Sequence, residues 1–261
     1  MKKNKFLLCL LTTGMCFILI SFVKPDKPTI YLVGDSTVAG GWGKLMYRYF
    51  DTTKVSIQNR AISGTSSRTF YTGIFHDPSL VKNGMWTPMI KQLKRGDVVF
   101  IQFGHNDDSP VNDTLRARGS LRGIGDDSTV VQNHFTKSKE VVHTYGWYLS
   151  RMVDEAKAKG ATVVICSPVP KDKWKDGKIA RVNESYGKWG KEVADKKKGM
   201  FLDLNNIIGD RYEKEGQEAT SKYFINDHVH PTTEGAQVGA LTVIDYIKNS
   251  NNLKIKDYLT Q

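Results

Sequence analysis

Short apolar runs alternate with longer stretches of helical periodicity from about residue 28 onward. The apolar runs are rich in β-branched residues and are bounded by Gly, Pro or polar residues, which is typical of buried strands. These predicted strands cover residues 29–33, 55–61, 97–103, 161–167 and 200–204. The predicted helices cover residues 43–50, 141–159, 180–198 and 233–248. Regular alternation of strand and helix predicts a parallel sheet with helices on both faces, within one domain.

One long segment, residues 108–140, interrupts this alternation. It is rich in Gly, Ser, Asp and Arg and has no sustained hydrophobic period. Loops of this length are uncommon in compact domains and are usually either functional or mobile. Two interpretations remain open, a solvated surface loop and a lid that contacts a substrate.

The N-terminal residues 1–23 have the layout of a targeting segment. Three lysines in the first five residues are followed by an uncharged apolar run over residues 6–23. A basic start followed by an apolar stretch predicts a secretory signal, and therefore export to the periplasm or the extracellular space. The apolar run is also just long enough to span a membrane, so an uncleaved anchor is the alternative. Residues 24–261 would then form a single domain.

The composition indicates a globular protein with a sizeable core. The chain has 261 residues, of which 39% are hydrophobic and 25% charged, which excludes a disordered or fibrous protein. Lys and Arg outnumber Asp and Glu by 38 to 27, a formal net charge of +11. This charge favours an acidic partner, namely nucleic acid, anionic lipid or an acidic polysaccharide. Because the chain has neither zinc-finger spacing nor an RNA-recognition motif, we expect no nucleic-acid partner.

Four short polar segments lie where a parallel sheet places its ligands. In such sheets, ligands bind outside the carboxyl ends of the strands. The segments are GDST at 34–37, NRAISG at 59–64, GHND at 104–107 and DHVH at 227–230. Together they supply a hydroxyl, hydrogen-bond donors and an acid–base pair.

The residue types in these segments match the needs of ester hydrolysis. Ser36 becomes a nucleophile only if a neighbouring base takes its proton, and a histidine can do so near neutral pH. His230 is the best base, because Asp227 lies three residues earlier and can orient the imidazole. The backbone N–H groups of Ser36 and Gly64 and the side-chain amide of Asn106 are candidate oxyanion donors. This chemistry needs no cofactor.

A metal site is a competing interpretation of the last segment. His228 and His230 form an H-x-H sequence beside Asp227. No further ligand with suitable spacing occurs elsewhere in the chain, so we expect no metal.

The four segments, in this order, resemble the four sequence blocks of the SGNH hydrolases, also called GDSL hydrolases. The resemblance implies a flavodoxin-like three-layer α/β/α fold with a central parallel sheet of about five strands. It also implies a Ser36, His230 and Asp227 triad, with Ser36, Gly64 and Asn106 forming the oxyanion hole. Thr37, the HPTTEGA sequence at 230–236 and Arg68 look most similar to the rhamnogalacturonan acetylesterase branch, which removes acetyl groups from pectin.

Candidate substrate contacts follow from the expectation of an acidic polysaccharide substrate. Arg60 and Arg68 lie on either side of Gly64 and could pair with galacturonate carboxylates. His105 and Arg118 complete the set of predicted contacts. A structural role for His105 and a solvated position for Arg60 and Arg68 are the alternatives. Candidates for stacking on sugar rings are Trp86, Trp147 and Trp174, although the position of Trp147 within a predicted helix also suits the core. Structural or surface positions are expected for His76, His134 and His143.

Other functions on the same scaffold stay open at this point. The enzyme could act on acetyl-xylan or on a short-chain lipid ester with the same chemistry. A noncatalytic polysaccharide-binding protein is a further alternative from a different class. No membrane contact is expected beyond the possible N-terminal anchor.

Overall fold

The computed structural model describes residues 27–81 and 85–260. The predicted targeting segment, residues 1–23, lies outside the described residues. The strands are β1 (Thr29–Gly34), β2 (Ser56–Asn59), β3 (Val98–Gln102), β4 (Ser128–Gln132), β5 (Lys139–His143), β6 (Thr162–Cys166), β7 (Trp174–Lys175), β8 (Lys178–Ile179) and β9 (Met200–Leu202). The helices are α1 (Trp42–Leu45), α2 (Ser67–Thr72), α3 (Trp86–Ile90), α4 (Tyr145–Ala158), α5 (Tyr186–Lys196), α6 (Leu204–Glu215), α7 (Gln217–Thr220) and α8 (Thr233–Asn249).

A five-stranded parallel sheet forms the centre of the molecule. Its strand order is β2-β1-β3-β6-β9, so the five predicted strands and the parallel α/β class are confirmed. The register pairs Leu32 of β1 with Phe100 of β3. The chain runs from β1 outward to β2 and then returns to the other side of β1. This reversal of direction leaves a crevice at the carboxyl ends of β1 and β3, which is where open α/β sheets bind ligands.

Apolar side chains cover both faces of the sheet. Side chains alternate between the two faces of a strand, so Ile30 and Leu32 pack in one cluster while Tyr31 and Val33 pack in the other. The first cluster includes apolar residues of α1 and α8, and the second includes those of α4 and α5. Burial on both faces explains why these strands are continuous apolar runs in the sequence.

Three of the four predicted helices correspond to α4, α5 and α8. The fourth prediction, residues 43–50, is divided in the structure between α1 and a 3₁₀ helix (Met46–Tyr49), and a π-helical turn (Thr37–Gly41) precedes α1. Helices α2, α3, α6 and α7 were not predicted. The shortest of these, α7, spans four residues, which is too few for an amphipathic period to emerge.

The segment 108–140 contains part of an antiparallel hairpin. Strands β4 and β5 pair with Val130 opposite Val141. The prediction that a helix begins at residue 141 was therefore wrong, because α4 begins at Tyr145. The Thr144 side chain caps it by accepting a hydrogen bond from the backbone N–H of Trp147.

No helix within residues 27–81 and 85–260 has both the length and the apolar character needed to cross a membrane.

Candidate active site

Strand β1 ends in a tight connection that places Ser36 at the crevice. A Cβ on Gly34 would lie 2.5 Å from Cγ2 of Val38 and 2.6 Å from the carbonyl oxygen of Gln102. Only glycine therefore fits at position 34, between β3 and the turn that follows β1. Ser36 stands at the start of the π-helical turn, where backbone N–H groups have no acceptor within the helix.

Buried polar partners hold the two residues that flank Ser36. The Asp35 carboxylate is fully buried and accepts hydrogen bonds from the backbone N–H and the hydroxyl of Thr37, at 2.9 and 2.8 Å. Nδ1 of His105 lies 3.3 Å from the same carboxylate. Burial acts to raise the pKa of Asp35, but His105 and Thr37 outweigh it and hold the pKa below its usual value. The backbone on both sides of Ser36 is thus fixed.

The segment before α8 brings a histidine and an aspartate to Ser36. Nε2 of His230 lies 2.8 Å from Oγ of Ser36. The other ring nitrogen, Nδ1, makes a short contact with Oδ2 of Asp227. The structure therefore brings together the serine, the histidine and the aspartate that the sequence predicted as a set. A serine, a base and a group that orients the base form the arrangement that activates a hydroxyl for attack on an ester.

Asp227 is held in its ionised form. Its Oδ1 accepts hydrogen bonds from the backbone N–H of His230 at 2.9 Å and of Val229 at 3.0 Å. These bonds, led by the one from His230, lower the pKa of Asp227 to about 2 although partial burial opposes them. Asp227 is therefore a carboxylate at neutral pH and can accept a hydrogen bond from the Nδ1–H of His230.

Two further residues that carry candidate donors, Gly64 and Asn106, lie at the same crevice. Gly64 has φ of +84°, a conformation that favours glycine and that orients the loop after β2. Asn106, after β3, donates one amide hydrogen to the carbonyl oxygen of Thr65 at 2.8 Å. A side-chain amide carries two N–H groups, and no acceptor among the described residues takes the second.

A buried aspartate links the loops that carry these donors. Asp107 accepts hydrogen bonds from the backbone N–H and hydroxyl of Ser67, at the start of α2, and from the hydroxyl of Ser120. Burial raises the pKa of Asp107 to about 6, against the opposing effect of the Ser67 and Ser120 hydrogen bonds. No role for Asp107 was predicted from the sequence.

These residues surround one cavity of about 640 Å³, a size typical of ligand sites. The lining residues are Ser36, Gly40, Ser63, Gly64, His76, His105, Asn106, Arg116, Arg118, Lys171, Asp227, Val229, His230 and Pro231. All the residues of the predicted triad and oxyanion hole are among them. Their residue types and geometry suit the attack of a hydroxyl on an ester carbonyl.

The predicted contacts with substrate had mixed outcomes. Arg118 and His105 line the cavity, but both ring nitrogens of His105 face protein atoms, Asp35 Oδ2 and the carbonyl oxygen of Val169. Arg60 does not line the cavity, and its guanidinium donates to the side chains of Gln58 and Gln92.

The prediction that Arg68 contacts the substrate was wrong. Its side chain is fully buried and pairs with Glu140, with two further hydrogen bonds to the carbonyl oxygens of Val111 and Gly119. It is therefore out of reach of a polysaccharide. A guanidinium on α2 anchors the 108–140 segment instead, a role that spacing along the chain could not indicate.

The tryptophans predicted for sugar stacking lie outside the cavity. Trp86 is buried and donates to Glu155 at 2.7 Å, so this prediction was wrong. Trp147 stacks on the ring of His143 at 3.9 Å. Trp174 donates from Nε1 to Asp172 at 2.9 Å.

Three ionisable residues of the cavity were not predicted as site residues from the sequence, namely His76, Arg116 and Lys171. Arg116 lies in the aperiodic 108–140 segment, where no register predicts direction. Lys171 follows β6, so the rule that ligands bind at carboxyl ends of strands was a signal for it. His76 was expected to be structural or at the surface, and it lines the cavity with its Nδ1 buried and without a hydrogen-bond partner among the described residues.

The two rings of the H-x-H sequence have different partners. Nδ1 of His228 lies 2.8 Å from Oδ2 of Asp172, whereas the ring of His230 lies between Asp227 and Ser36. Across residues 27–81 and 85–260, no group of three or more His, Cys, Asp or Glu side chains is arranged to hold a metal ion.

The structure is that of an α/β protein in which a serine, with a histidine and an aspartate beside it, lies at the carboxyl end of the first strand, the arrangement of a serine esterase. Residues 32–238 match the GDSL-like Lipase/Acylhydrolase family. The chain belongs to this family and is an esterase.

Several curated proteins are similar over most of their length. The chain is 28% identical to a rhamnogalacturonan acetylesterase of Emericella nidulans, covering 89% of each chain. It is 27% identical to the probable rhamnogalacturonan acetylesterase YesY of Bacillus subtilis, covering 84% of this chain and 88% of the relative. It is 26% identical to the rhamnogalacturonan acetylesterase RhgT of the same organism, covering 88% of this chain and 93% of the relative.

Solved structures support the same fold. The crystal structure of YxiM from Bacillus subtilis superposes with a TM-score of 0.62 at 23% identity, over 85% of this chain and 56% of that chain. The acetylxylan esterase Axe2 from Geobacillus stearothermophilus superposes with a TM-score of 0.54 at 17% identity, over 84% of this chain and 93% of that chain.

Proposed function

We propose that this protein is an exported serine acetylesterase that removes acetyl groups from rhamnogalacturonan, the acidic backbone of pectin. The observation that carries the proposal is the 2.8 Å distance between Ser36 Oγ and His230 Nε2, with Asp227 on the far side of the imidazole. The names of three relatives at 26–28% identity support acetylated rhamnogalacturonan as the substrate.

The first half of the reaction transfers the acetyl group to the enzyme. His230 takes the proton of Ser36 as Oγ attacks the acetyl carbonyl carbon, and Asp227 stabilises the imidazolium. The carbonyl oxygen becomes an oxyanion, which the N–H groups of Ser36, Gly64 and Asn106 stabilise. Each such donor is worth roughly 3 to 4 kcal/mol of activation free energy. The sugar hydroxyl leaves with the proton from His230.

The second half returns the enzyme to its starting state. Water gives a proton to His230 and attacks the acetyl carbonyl, and acetate leaves as Ser36 recovers its proton. The same three donors stabilise the second oxyanion. The proposed reaction needs no cofactor, because every proton moves between Ser36, His230, substrate and water.

Replacement of the serine tests the catalytic proposal. We expect Ser36→Ala to lower acetate release from acetylated rhamnogalacturonan by at least about 10⁴-fold while the far-UV circular dichroism is unchanged. Ser138→Ala is the matched control, because Ser138 lies on the exposed hairpin. An active Ser36→Ala variant would refute the mechanism.

Covalent labelling separates an enzyme from a polysaccharide-binding protein. A serine-directed organophosphonate should modify the wild-type protein once, at Ser36, and leave Ser36→Ala unlabelled. A noncatalytic binding protein would not react at this position. Comparing acetate release from rhamnogalacturonan, acetyl-xylan and a short-chain glycerolipid then decides the substrate among esters that need the same chemistry.

Export is the remaining part of the proposal. It rests on the basic and apolar sequence of residues 1–23. Expression of the full chain in a bacterial host with an export system, followed by N-terminal sequencing of the mature protein, tests it. A start near residue 24 in the soluble exported fraction supports a cleaved signal. An intact N-terminus in the membrane fraction indicates an anchor, and retention in the cytoplasm contradicts export.

A further inference from the structure

The cavity around Ser36 has an unbalanced charge. Arg116, Arg118 and Lys171 line it. Among the lining residues that the structure describes, Asp227 is the one carboxylate, and it is already hydrogen-bonded to His230. Arg118 and Lys171 are partly buried, whereas Arg116 is exposed, and opposite charges usually accompany cations that are removed from water. The cavity therefore carries a surplus of positive charge next to the candidate nucleophile.

The three cations have no acidic ion-pair partner in the part of the chain that the structure describes. Over residues 27–81 and 85–260, none of them forms an ion pair with an Asp or Glu within 4.0 Å. Asp113 is the acidic residue nearest in sequence to Arg116, but its carboxylate accepts hydrogen bonds from the backbone N–H groups of Leu115 and Arg116.

Arg118 differs from the other two cations in its contacts. Its Nε donates to the hydroxyl of Ser109 at 3.0 Å, and Nη1 approaches the carbonyl oxygen of Gly64 at 3.5 Å. Arg118 therefore also supports the loop that carries Gly64. Arg116 and Lys171 make no hydrogen bond with their side-chain nitrogens to other described residues, so these two side chains are available to a ligand.

Burial and neighbouring positive charge oppose the charged forms of Lys171 and Arg118. Burial lowers the pKa of Lys171, and the charge of Lys173 adds to this effect. Burial likewise lowers the pKa of Arg118, and the charge of Arg116 contributes. Like charges held together in a partly buried cavity are unfavourable until an anion neutralises them. Such unfavourable arrangements are typical of binding sites.

The geometry places one of these cations beside a candidate oxyanion donor. Nη1 of Arg116 lies 4.0 Å from the position that a Cβ would take on Gly64. An anion on Arg116 is therefore within a few ångströms of the loop that would bind the oxyanion. A guanidinium presents paired N–H donors that match the two oxygens of a carboxylate.

We infer that Arg116 and Lys171 bind a carboxylate of the polysaccharide while the acetyl ester lies at Ser36. They are thus specificity-determining residues that select acetyl groups on, or next to, a uronate sugar. This inference rests on the proposed function and assigns its preference for acidic chains to two named side chains. A neutral acetylated substrate lacks this interaction and gains nothing from either cation.

The test compares an acidic substrate with a small neutral one. Arg116→Gln and Lys171→Gln are assayed on an acetylated galacturonate-containing oligosaccharide and on 4-nitrophenyl acetate. We expect each variant to lose about tenfold or more in kcat/KM on the oligosaccharide, mainly through KM, and to stay within about twofold on 4-nitrophenyl acetate. For the wild type, the value on the oligosaccharide should fall as NaCl is added.

A matched control removes the same charge elsewhere. Lys248 is exposed in the last turn of α8, whose first turn is near His230. Fifteen residues of helix separate Lys248 from Thr233, which is about 22 Å at 1.5 Å per residue. Lys248→Gln should leave kcat/KM on both substrates within about twofold. A loss like that of Arg116→Gln would show that overall charge, and not the cavity, attracts the substrate, and would overturn the inference.

Binding without turnover separates this inference from the proposed function. In titration calorimetry, the Ser36→Ala variant should bind a non-acetylated galacturonate oligosaccharide. The triple variant, in which Arg116→Gln and Lys171→Gln are added to Ser36→Ala, should bind it about tenfold or more weakly. Equal binding to both proteins, or equal losses on acidic and neutral esters, overturns the inference while leaving the esterase intact. Failure of the wild type to hydrolyse any acetyl ester refutes the proposed function alone, because the calorimetry needs no hydrolysis.

Discussion

Oγ of Ser36 lies 2.8 Å from Nε2 of His230, although 194 positions separate the two residues along the chain. One follows the first strand of the sheet and the other precedes the last long helix. The contact forms because α8 packs against α1 and the turn after β1 on one face of the sheet. The site therefore depends on packing far from the reacting atoms, and its parts can be tested separately.

Asp227→Asn should reduce kcat by about 10³ to 10⁴-fold on any acetyl ester. An asparagine amide facing Nδ1 favours the tautomer that leaves no free lone pair on Nε2 for the proton of Ser36. Steady-state kinetics with 4-nitrophenyl acetate measures the loss. Asp172→Asn is the matched control, because Asp172 makes a similar contact with His228. The kcat of Asp172→Asn should stay within about twofold of that of the wild type. A loss comparable to that of Asp227→Asn would show that any disturbance of the loop before α8 lowers activity.

Gly64→Ala should affect activity and stability, whereas Gly73→Ala should affect stability alone. Both glycines have positive φ, +84° and +75°, so an alanine costs about 1 to 2 kcal/mol at either position. A Cβ would meet nothing closer than 3.5 Å at Gly64 and nothing within 4 Å at Gly73. Strain at Gly64 displaces a candidate oxyanion donor, so we expect a 10- to 100-fold lower kcat there. Equal activities of the two variants would remove Gly64 from the oxyanion hole.

Glu140→Gln should destabilise the protein by about 3 to 5 kcal/mol, because it leaves the buried guanidinium of Arg68 without a counter-charge. The free energy of unfolding from urea titration measures this loss. Asp195→Asn breaks the exposed pair with Lys191 and should change stability by less than about 1 kcal/mol. An effect of Glu140→Gln as small as that of the control would show that the buried pair does not anchor the 108–140 segment.

The free energy of unfolding of the Asp107→Asn variant should increase relative to that of the wild type as the pH rises. The pKa of Asp107 is raised from 3.8 to about 6, so between these values the unfolded chain loses this proton while the folded protein keeps it. The folded wild type therefore loses stability with rising pH in this window, by up to about 3 kcal/mol, and no further loss from this group follows above it. Urea unfolding of both proteins at pH 4 and pH 7 checks this. A stability difference that is the same at both pH values contradicts it.

Local pattern predicted the sheet well, because its strands are buried on both faces and are apolar throughout. Each of the five predicted strands overlaps an observed one, from β1 to β9. The hairpin of β4 and β5 escaped prediction, because half of its positions are exposed and two of its four valines, Val130 and Val141, face outward. A helix was predicted where β5 lies, since a short apolar run is compatible with either structure.

The sequence alone determined the elements of the sheet and the candidate reacting groups, because both depend on residue type and on position relative to a strand. Only the tertiary structure decided which cations face the cavity. Arg68 lies four residues after Gly64 but points into the interior toward Glu140, while Arg116 and Lys171, from distant segments, line the space beside Ser36. The direction of a side chain in an irregular loop depends on the packing of remote segments, so no periodic pattern of residues along the sequence predicts it.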